Sequence, residues 1–319
     1  PYEPDPANPI LTSIKAPFPG RNDRDFLKPH LFNPAVQIQK AGHASICNTP
    51  QGEWFLAHLG ARPLMPSRAS VLGRETFLQR CHWTDDGWLR VEDPDGRPRE
   101  SVAEPAGVAE HPFPALPETD EFTGPNLPPH YYTLRRPLDA GWANFTDRPG
   151  WLCMAGRESL HSYFKVSLVG RRIQHFCWEG ITRMEFAPEK FQQMAGLVLL
   201  NGQETWFYLR LYYSETFRSP CLGIMLSDRG ELDELLDSRV PVSQSQVHLQ
   251  ASVRNTDLQF YYSLDGGGWQ PIGPVLDMTR LADEYNRSFA GTFVALTCQD
   301  LSGAGKAACF KNFTYREKV

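Results

Sequence analysis

The sequence has no long apolar run and no large excess of charge, and each absence excludes a class of protein. Its longest apolar stretches are strand-sized, as in Gly196–Leu200, and fall far short of the roughly 20 residues that cross a bilayer. The formal net charge of −5 gives no electrostatic reason to bind nucleic acid or an anionic membrane. We therefore expect no nucleic-acid or membrane partner, and neutral or small-molecule partners instead.

The sequence also lacks any C-x-x-C pair among its seven scattered cysteines, which argues against a compact zinc site. The odd number leaves at least one cysteine without an internal disulfide partner. The sequence does not say which cysteines are bridged, and a buried, inert thiol is expected for most of them. An acidic loop of the EF-hand kind is absent as well.

The first region, residues 1–95, contains short strand-like runs at Ala44–Cys47, Trp54–Leu59 and Thr76–Trp83. The turn Asp85–Trp88 supplies the Asp-Gly pair of a tight hairpin. This pattern predicts a meander of short antiparallel strands.

Proline and strand patterns divide the rest of the chain. Nine prolines between Asp93 and Pro129 each remove a ladder donor and fix φ, which predicts a linker over residues 96–130. Residues 131–319 again alternate strands and turns, with brief helices predicted only at Pro188–Met194 and Thr279–Tyr285. Many short strands in about 190 residues favour a two-sheet β-sandwich, so the fold class is all-β.

Three motifs in the first region form an ordered set. They are KAGHAS at Lys40–Ser45, GEWFLAHLGARP at Gly52–Pro63 and LGRET at Leu72–Thr76. This order resembles the late propeller blades of family 43 glycoside hydrolases, in the branch of β-xylosidases and α-L-arabinofuranosidases. Four phrases of the last region resemble the concanavalin-like sandwich that follows the propeller in this branch: AGRESL, FQQMAGL, YSLDG and FAGTF.

The resemblance implies a domain organisation. Residues 1–95 would be the C-terminal blades of a five-bladed β-propeller, incomplete in this chain. Residues 96–130 would be the linker, and residues 131–319 the sandwich.

The resemblance also implies three catalytic carboxylates: an Asp base, a Glu acid and an Asp that tunes the acid. Inverting hydrolysis needs the acid and the base roughly 6.5–9.5 Å apart, so that a water fits. In the family these groups lie on earlier blades, and the 42 residues before His43 suffice for about one blade. We therefore expect no catalytic residue in this chain. The expected partner is an N-terminal propeller fragment of the same enzyme, and secretion is the expected localisation.

His43, Arg74 and Phe289 are the candidate substrate-binding residues. Small neighbours around His43 leave its imidazole as the local functional group, and the resemblance places it at the bottom of the sugar pocket. The guanidinium of Arg74 is a rigid fork of donors suited to sugar hydroxyls, with a structural salt bridge as its alternative. The resemblance implies that Phe289 lies on a loop that shapes the pocket, although a role in the core is also open. No cofactor is required, but a structural calcium on the propeller axis, held through water by His43, is an option.

Other charged residues have more ordinary interpretations. Glu3 and Asp5 lie in a proline-rich connection, where solvated turn residues are the rule. Glu75 is expected to pair with a basic group of a neighbouring blade, and Arg62 before a proline often caps a surface turn. The charged, proline-rich stretch Lys15–Asn33 resembles an extended loop that could line the substrate entrance.

Several functions remain open at this point. The main hypothesis is the C-terminal part of an inverting, exo-acting hydrolase that releases α-L-arabinofuranose from arabinoxylan, favoured by the long loop before His43. The first alternative is a β-xylosidase acting on xylo-oligosaccharides. The second is a non-catalytic sandwich that binds carbohydrate through exposed aromatic side chains.

Overall fold

The computed structural model describes residues 2–14 and 32–318, and nearly all of its regular structure is β-strand. The predicted loop Lys15–Asn33 therefore lies outside the described residues, except for its last two positions. Within the described residues, no helix is both long and apolar enough to cross a membrane. The chain divides into two compact units: Pro1–Ala115 with Ala282–Gly291, and Leu116–Leu281 with Thr292–Val319.

Unit 1 contains one four-stranded antiparallel sheet in the order β1-β2-β3-β4. Its strands are β1 (Gln39–Asn48), β2 (Trp54–Ala61), β3 (Glu75–Trp83) and β4 (Leu89–Val91). The predicted meander and its hairpin are present, and in the hairpin Thr84 donates its N–H to the carbonyl of Trp88. Leu56 and Cys81 pack with Leu11 and Val91 in a small core.

Unit 2 contains two eight-stranded antiparallel sheets. The strands of the first sheet are β5 (Thr119–Asp120), β7 (Ala143–Asn144), β8 (Leu152–Ala155), β10 (Cys177–Glu185), β16 (Gln246–Arg254), β17 (Asp257–Ser263), β18 (Gln270–Asp277) and β20 (Ala307–Glu317). Those of the second are β6 (Tyr132–Thr133), β9 (Ser167–Arg172), β11 (Gln193–Leu200), β12 (Trp206–Ser214), β13 (Ser219–Asp228), β14 (Glu231–Glu234), β15 (Val240–Pro241) and β19 (Phe293–Asp300).

The two sheets of unit 2 face each other. A Cβ placed on Gly180 of β10 would lie 3.4 Å from the Val294 side chain of β19, and one on Gly273 of β18 would lie 2.4 Å from the Ile224 side chain of β13. Strand β11 is buried along its whole length, because its other face carries a second apolar cluster that includes Trp206. A strand buried on both faces reads as the continuous apolar run seen in the sequence.

The proline-rich segment 96–130 is bound to unit 1 in its first part and to unit 2 in its second part. Up to Ala115 it groups with unit 1, where the Gln79 side chain exchanges two hydrogen bonds with the backbone of Arg99. From Leu116 it groups with unit 2, where β5 pairs with β20. Proline removes donors, but the remaining backbone groups find side-chain and strand partners.

The two predicted helices have different outcomes. Pro188–Met194 is not helical, since β11 already begins at Gln193 and the side chain of Gln193 accepts the N–H of Glu189. Thr279–Tyr285 is helical but interrupted: a 3₁₀ turn spans Met278–Leu281 and α1 spans Asp283–Asn286.

One disulfide joins Cys153 of β8 to Cys309 of β20, where the two residues are directly paired across the strands. The other five cysteines are free. The sequence leaves this pairing undetermined, and the strand register decides it.

Candidate functional site

Strand β1 contains two consecutive bulges, and Lys40 and His43 adopt unusual backbone conformations in them. The register with β2 shifts between Gln39 and Gly42 and again between Gly42 and Ser45. Lys40 has φ 60° and His43 has φ 53°, a left-handed region that non-glycine residues seldom adopt. Such bulges redirect side chains and are frequent beside functional sites.

His43 is solvent-exposed on the second bulge. Within the described residues, its imidazole makes no hydrogen bond or ion pair. The bulge therefore places the imidazole at the surface of the described residues.

Arg74 lies in the turn that leads into β3, directly after Gly73. Its Nη1 donates to Asp283 Oδ2 at 2.6 Å, and its side chain is 13% exposed. The Cζ of Arg74 lies over the Phe289 ring, 4.8 Å from the ring centroid. The structure thus brings together two of the three predicted substrate-binding residues.

Phe289 belongs to the segment 282–291, which is part of unit 1. Its side chain is 56% exposed, so it is not the core aromatic of the alternative interpretation. The segment approaches the turn before Arg74 through two glycines: Gly73 (φ 73°) and Gly291 (φ 69°). A Cβ on Gly73 would lie 2.6 Å from the Cα of Gly291, so only glycine permits this approach.

A buried group of four charges lies beneath Phe289. Lys40 forms ion pairs with Glu284 and, at 3.9 Å, with Asp283, while Arg74 binds Asp283. Asp283 is fully buried and Lys40 is nearly so. Two cations thus balance two carboxylates, as buried charges require.

Burial dominates the titration of both cations in this cluster. Desolvation lowers the pKa of Lys40, and the carboxylates of Glu284 and Asp283 oppose that effect. Desolvation likewise lowers the pKa of Arg74 against the attraction of Asp283 and Glu284. Because both carboxylates are engaged by cations, neither is placed as a free general acid or base.

Two further acidic candidates, Asp5 and Glu75, are each bound by an arginine. Asp5 receives two hydrogen bonds from the guanidinium of Arg90, at 2.6 and 3.1 Å, and a third from the backbone of Ala7. Glu75 receives a bidentate pair from Arg62, at 2.9 and 2.7 Å. Arg62 directly follows β2, which pairs with β3 in the same sheet, so the partner is not the basic group of a neighbouring blade that was predicted.

The sequence did not predict Lys40, Asp283 and Glu284 as parts of the site. Lys40 lies inside the KAGHAS motif, in which the histidine is the more obvious candidate for binding a ligand. Asp283 and Glu284 read as the polar face of a brief helix, and only their burial distinguishes them. Within the described residues, no group of three or more His, Cys, Asp or Glu side chains is arranged to hold a metal ion.

Two family models match this chain. "Beta xylosidase C-terminal Concanavalin A-like domain" matches residues 119–316, and "Glycosyl hydrolases family 43" matches residues 1–89. The chain belongs to glycosyl hydrolase family 43, as its motifs indicated.

Known proteins resemble the chain along nearly its whole length. The β-xylosidase of Bacillus subtilis strain 168 is 34% identical to it, over 100% of this chain and 58% of that protein. Xylosidase/arabinosidase 43B of Humicola insolens is 35% identical, over 99% of this chain and 56% of that protein. The crystal structure of xylan β-1,4-xylosidase from Bacillus halodurans C-125 superposes with a TM-score of 0.88 at 40% identity, over 98% of this chain and 57% of that one. The chain thus spans little more than half the length of these relatives.

Proposed function

We propose that this chain is part of an exo-acting, inverting β-xylosidase that releases xylose from xylo-oligosaccharides, and that it supplies one wall of the sugar pocket. The observation that carries the proposal is the stack of Arg74 on the exposed Phe289 ring, in a chain similar over 98% of its length to a xylan β-1,4-xylosidase. The ring offers an apolar face to a pyranose, and the guanidinium offers donors to its hydroxyls. His43 adds an exposed imidazole from the bulge of β1.

The proposed architecture extends the observed sheets. The four-stranded sheet of unit 1 would be one blade of a five-bladed propeller, and the two sheets of unit 2 would form a concanavalin-like sandwich. The acid, the base and the tuning carboxylate would come from earlier blades, on polypeptide outside these 319 residues. This proposal agrees with the engagement of both Asp283 and Glu284 by cations.

The preference for xylose over arabinofuranose departs from the loop argument made from the sequence. That argument depends on Lys15–Asn33, most of which lies outside the described residues. The names of the similar proteins favour xylose, since two of the three are called β-xylosidases. An α-L-arabinofuranosidase stays the second candidate, because the third is called a xylosidase/arabinosidase.

The test is to co-express the chain with a polypeptide carrying the earlier blades of a family 43 xylosidase. We expect hydrolysis of p-nitrophenyl β-D-xylopyranoside with a higher kcat/KM than for p-nitrophenyl α-L-arabinofuranoside. Preference for the arabinofuranoside would overturn the choice of sugar. Activity of the 319-residue chain alone would overturn the proposal that the acid and base lie elsewhere.

A bound metal ion and the cellular compartment of the protein are also matters of proposal. A calcium on the propeller axis held through water by His43 stays a proposal, and the described residues hold no group of three or more His, Cys, Asp or Glu side chains that would bind it directly. Secretion is supported by the Cys153–Cys309 disulfide, because such bonds persist mainly in oxidising compartments.

A further inference from the structure

The acidic pair Asp283–Glu284 contacts every element of unit 1 that carries a proposed sugar-binding residue. Asp283 and Glu284 open the short helix α1, six and five residues before Phe289. Their carboxylates reach Arg74, the Phe289 loop and Lys40 of the β1 bulge. We propose that Asp283 and Glu284 are positioning residues of the sugar site: they touch no substrate, but they fix the groups that do. This inference rests on the proposed function.

Asp283 holds Arg74 and the Phe289 loop with its two separate oxygens. Its Oδ2 accepts Arg74 Nη1 at 2.6 Å. Its Oδ1 accepts the Ser288 hydroxyl at 3.0 Å and the Gly291 N–H at 3.1 Å. Phe289 lies between these two donors, so one carboxylate sets both sides of the stack formed by Phe289 and Arg74.

Glu284 holds strand β1 in a similar way, through Lys40. Its two oxygens accept the N–H and the hydroxyl of Ser70, at 2.7 and 2.8 Å, and it forms an ion pair with Lys40. Lys40 has a left-handed backbone and stands three residues before His43. The ion pair thus stabilises the first of the two bulges that lead to the imidazole.

Burial explains why these contacts position side chains firmly. Asp283 is fully buried, and a charged hydrogen bond is strengthened where water is excluded. Replacing the carboxylate by the isosteric amide in Asp283→Asn removes the charge that attracts Arg74 and Lys40. The amide oxygen can still accept the hydrogen bonds of the Ser288 hydroxyl and the Gly291 N–H.

A matched control is available in Asp300. Asp300 is buried, and it also organises the loop that follows it, accepting the N–H of Ser302 at 2.9 Å, its hydroxyl at 2.6 Å and the N–H of Lys306 at 2.8 Å. It belongs to unit 2 and does not contact Arg74. Asp300→Asn therefore reports the general cost of losing a buried, loop-forming carboxylate.

The first measurement uses the 319-residue chain with 4-fluorophenylalanine at position 289 and needs no activity. We expect Asp283→Asn to shift or broaden the fluorine resonance, because the ring loses the fixed guanidinium above it. Asp300→Asn should leave the resonance in place. Ser288→Ala, which removes one donor and no charge, should give a smaller shift and serves if Asp283→Asn does not fold. An unchanged resonance in Asp283→Asn, or equal shifts in Asp283→Asn and Asp300→Asn, would overturn the role of Asp283.

The second measurement addresses Glu284 by hydrogen–deuterium exchange of the same chain. We expect Glu284→Gln to speed the exchange of the amides of residues 40–44. Glu75→Gln, which breaks the exposed pair with Arg62 in the same unit, is the control and should leave those amides unchanged. Equal exchange in wild type and Glu284→Gln would overturn the role of Glu284.

The third measurement separates positioning from the proposed function. In the co-expressed assembly, Asp283→Asn should raise KM for the aryl xyloside about tenfold with little change in kcat, as expected when a binding contact is lost. A moved fluorine resonance with unchanged KM would keep the positioning of Arg74 and Phe289. It would overturn their assignment to the sugar site.

Discussion

At the residue scale, Arg74 and Arg62 show how burial decides what an ion pair contributes. Both arginines bind one carboxylate within unit 1. Arg74 is 13% exposed and its partner Asp283 is fully buried, whereas Arg62 is 46% exposed beside Glu75. Exposed pairs contribute little to stability, but removing one partner of a buried pair leaves an uncompensated charge.

We predict that Arg74→Ala lowers the free energy of unfolding by about 3–5 kcal/mol, because Asp283 loses its short-range cation. The matched change Arg62→Ala should cost about 0–1 kcal/mol, since solvent screens Glu75. Urea unfolding of both variants measures the difference. Equal losses would show that Asp283 is adequately compensated by Lys40 and its loop donors.

Residue types in the motifs predict the chemistry of this site but not its connections. Arg74 and Phe289 are recognisable as separate candidates, one by its donors and one by its ring. Asp283, which binds Arg74 and the loop that carries Phe289, lies 209 residues from Arg74 in the chain. A contact over such a distance depends on the path of the whole fold, which no local pattern contains.

At the element scale, strand β2 buries a histidine that an alternating strand pattern does not distinguish from a packing residue. His58 is 1% exposed and stacks on Phe77 of β3, with ring centroids 5.8 Å apart. Its Nδ1 donates to the carbonyl of Leu59 at 2.8 Å, which leaves the buried Nε2 without a partner among the described residues. Protonation would therefore add a buried N–H with nothing to receive it.

We predict that His58 makes unit 1 less stable in mild acid. Burial lowers the pKa of His58 below 6.5, against the opposing hydrogen bond to Leu59, so between the folded-state pKa and 6.5 the unfolded chain binds more protons. Stability should thus fall as pH drops through 6.5 and level off below the folded-state pKa. Urea midpoints from pH 7.5 to 5 should change less in His58→Gln than in wild type.

The exposed His82 of β3 provides the control for this prediction. His82→Gln changes an exposed histidine of the same sheet and leaves His58 intact, so it should keep the wild-type pH dependence. A pH dependence that persists unchanged in His58→Gln would assign the acid sensitivity to other groups.

Elements were predictable where one local signal dominates. Strands β2 and β3 lie close to the predicted runs Trp54–Leu59 and Thr76–Trp83, and the Asp-Gly hairpin before β4 is present. The helix predicted at Pro188–Met194 fails because the side chain of Gln193 forms a turn before β11. The bulges of β1 were not predicted, since the first one carries Lys40, whose partners Asp283 and Glu284 are distant in sequence.

At the scale of the whole molecule, the Cys153–Cys309 disulfide closes a long loop within unit 2. Cys153 and Cys309 are separated by 156 residues, and the bond joins β8 to β20 within one sheet. A crosslink over so long a loop reduces the conformational freedom of the unfolded chain considerably.

We predict that the double variant Cys153→Ser/Cys309→Ser loses roughly 2–5 kcal/mol of stability. Its unfolding midpoint should be lower than that of oxidised wild type and should not respond to dithiothreitol. The single variant Cys47→Ser, at an exposed free cysteine, should keep the wild-type response to the reductant. A double variant as stable as oxidised wild type would show that the bond adds nothing to the fold.

Unit 1 is not encoded by one continuous stretch of the gene, because residues 282–291 complete it. A polypeptide ending at residue 115 would keep Lys40 and Arg74 but would lose both of their carboxylates. Recombining genes of this family at the boundary near residue 115 would therefore exchange Lys40 and Arg74 without exchanging Asp283 and Glu284, the carboxylates that they bind. Recombined proteins should be chosen so that segment 282–291 and the strands of unit 1 come from the same parent.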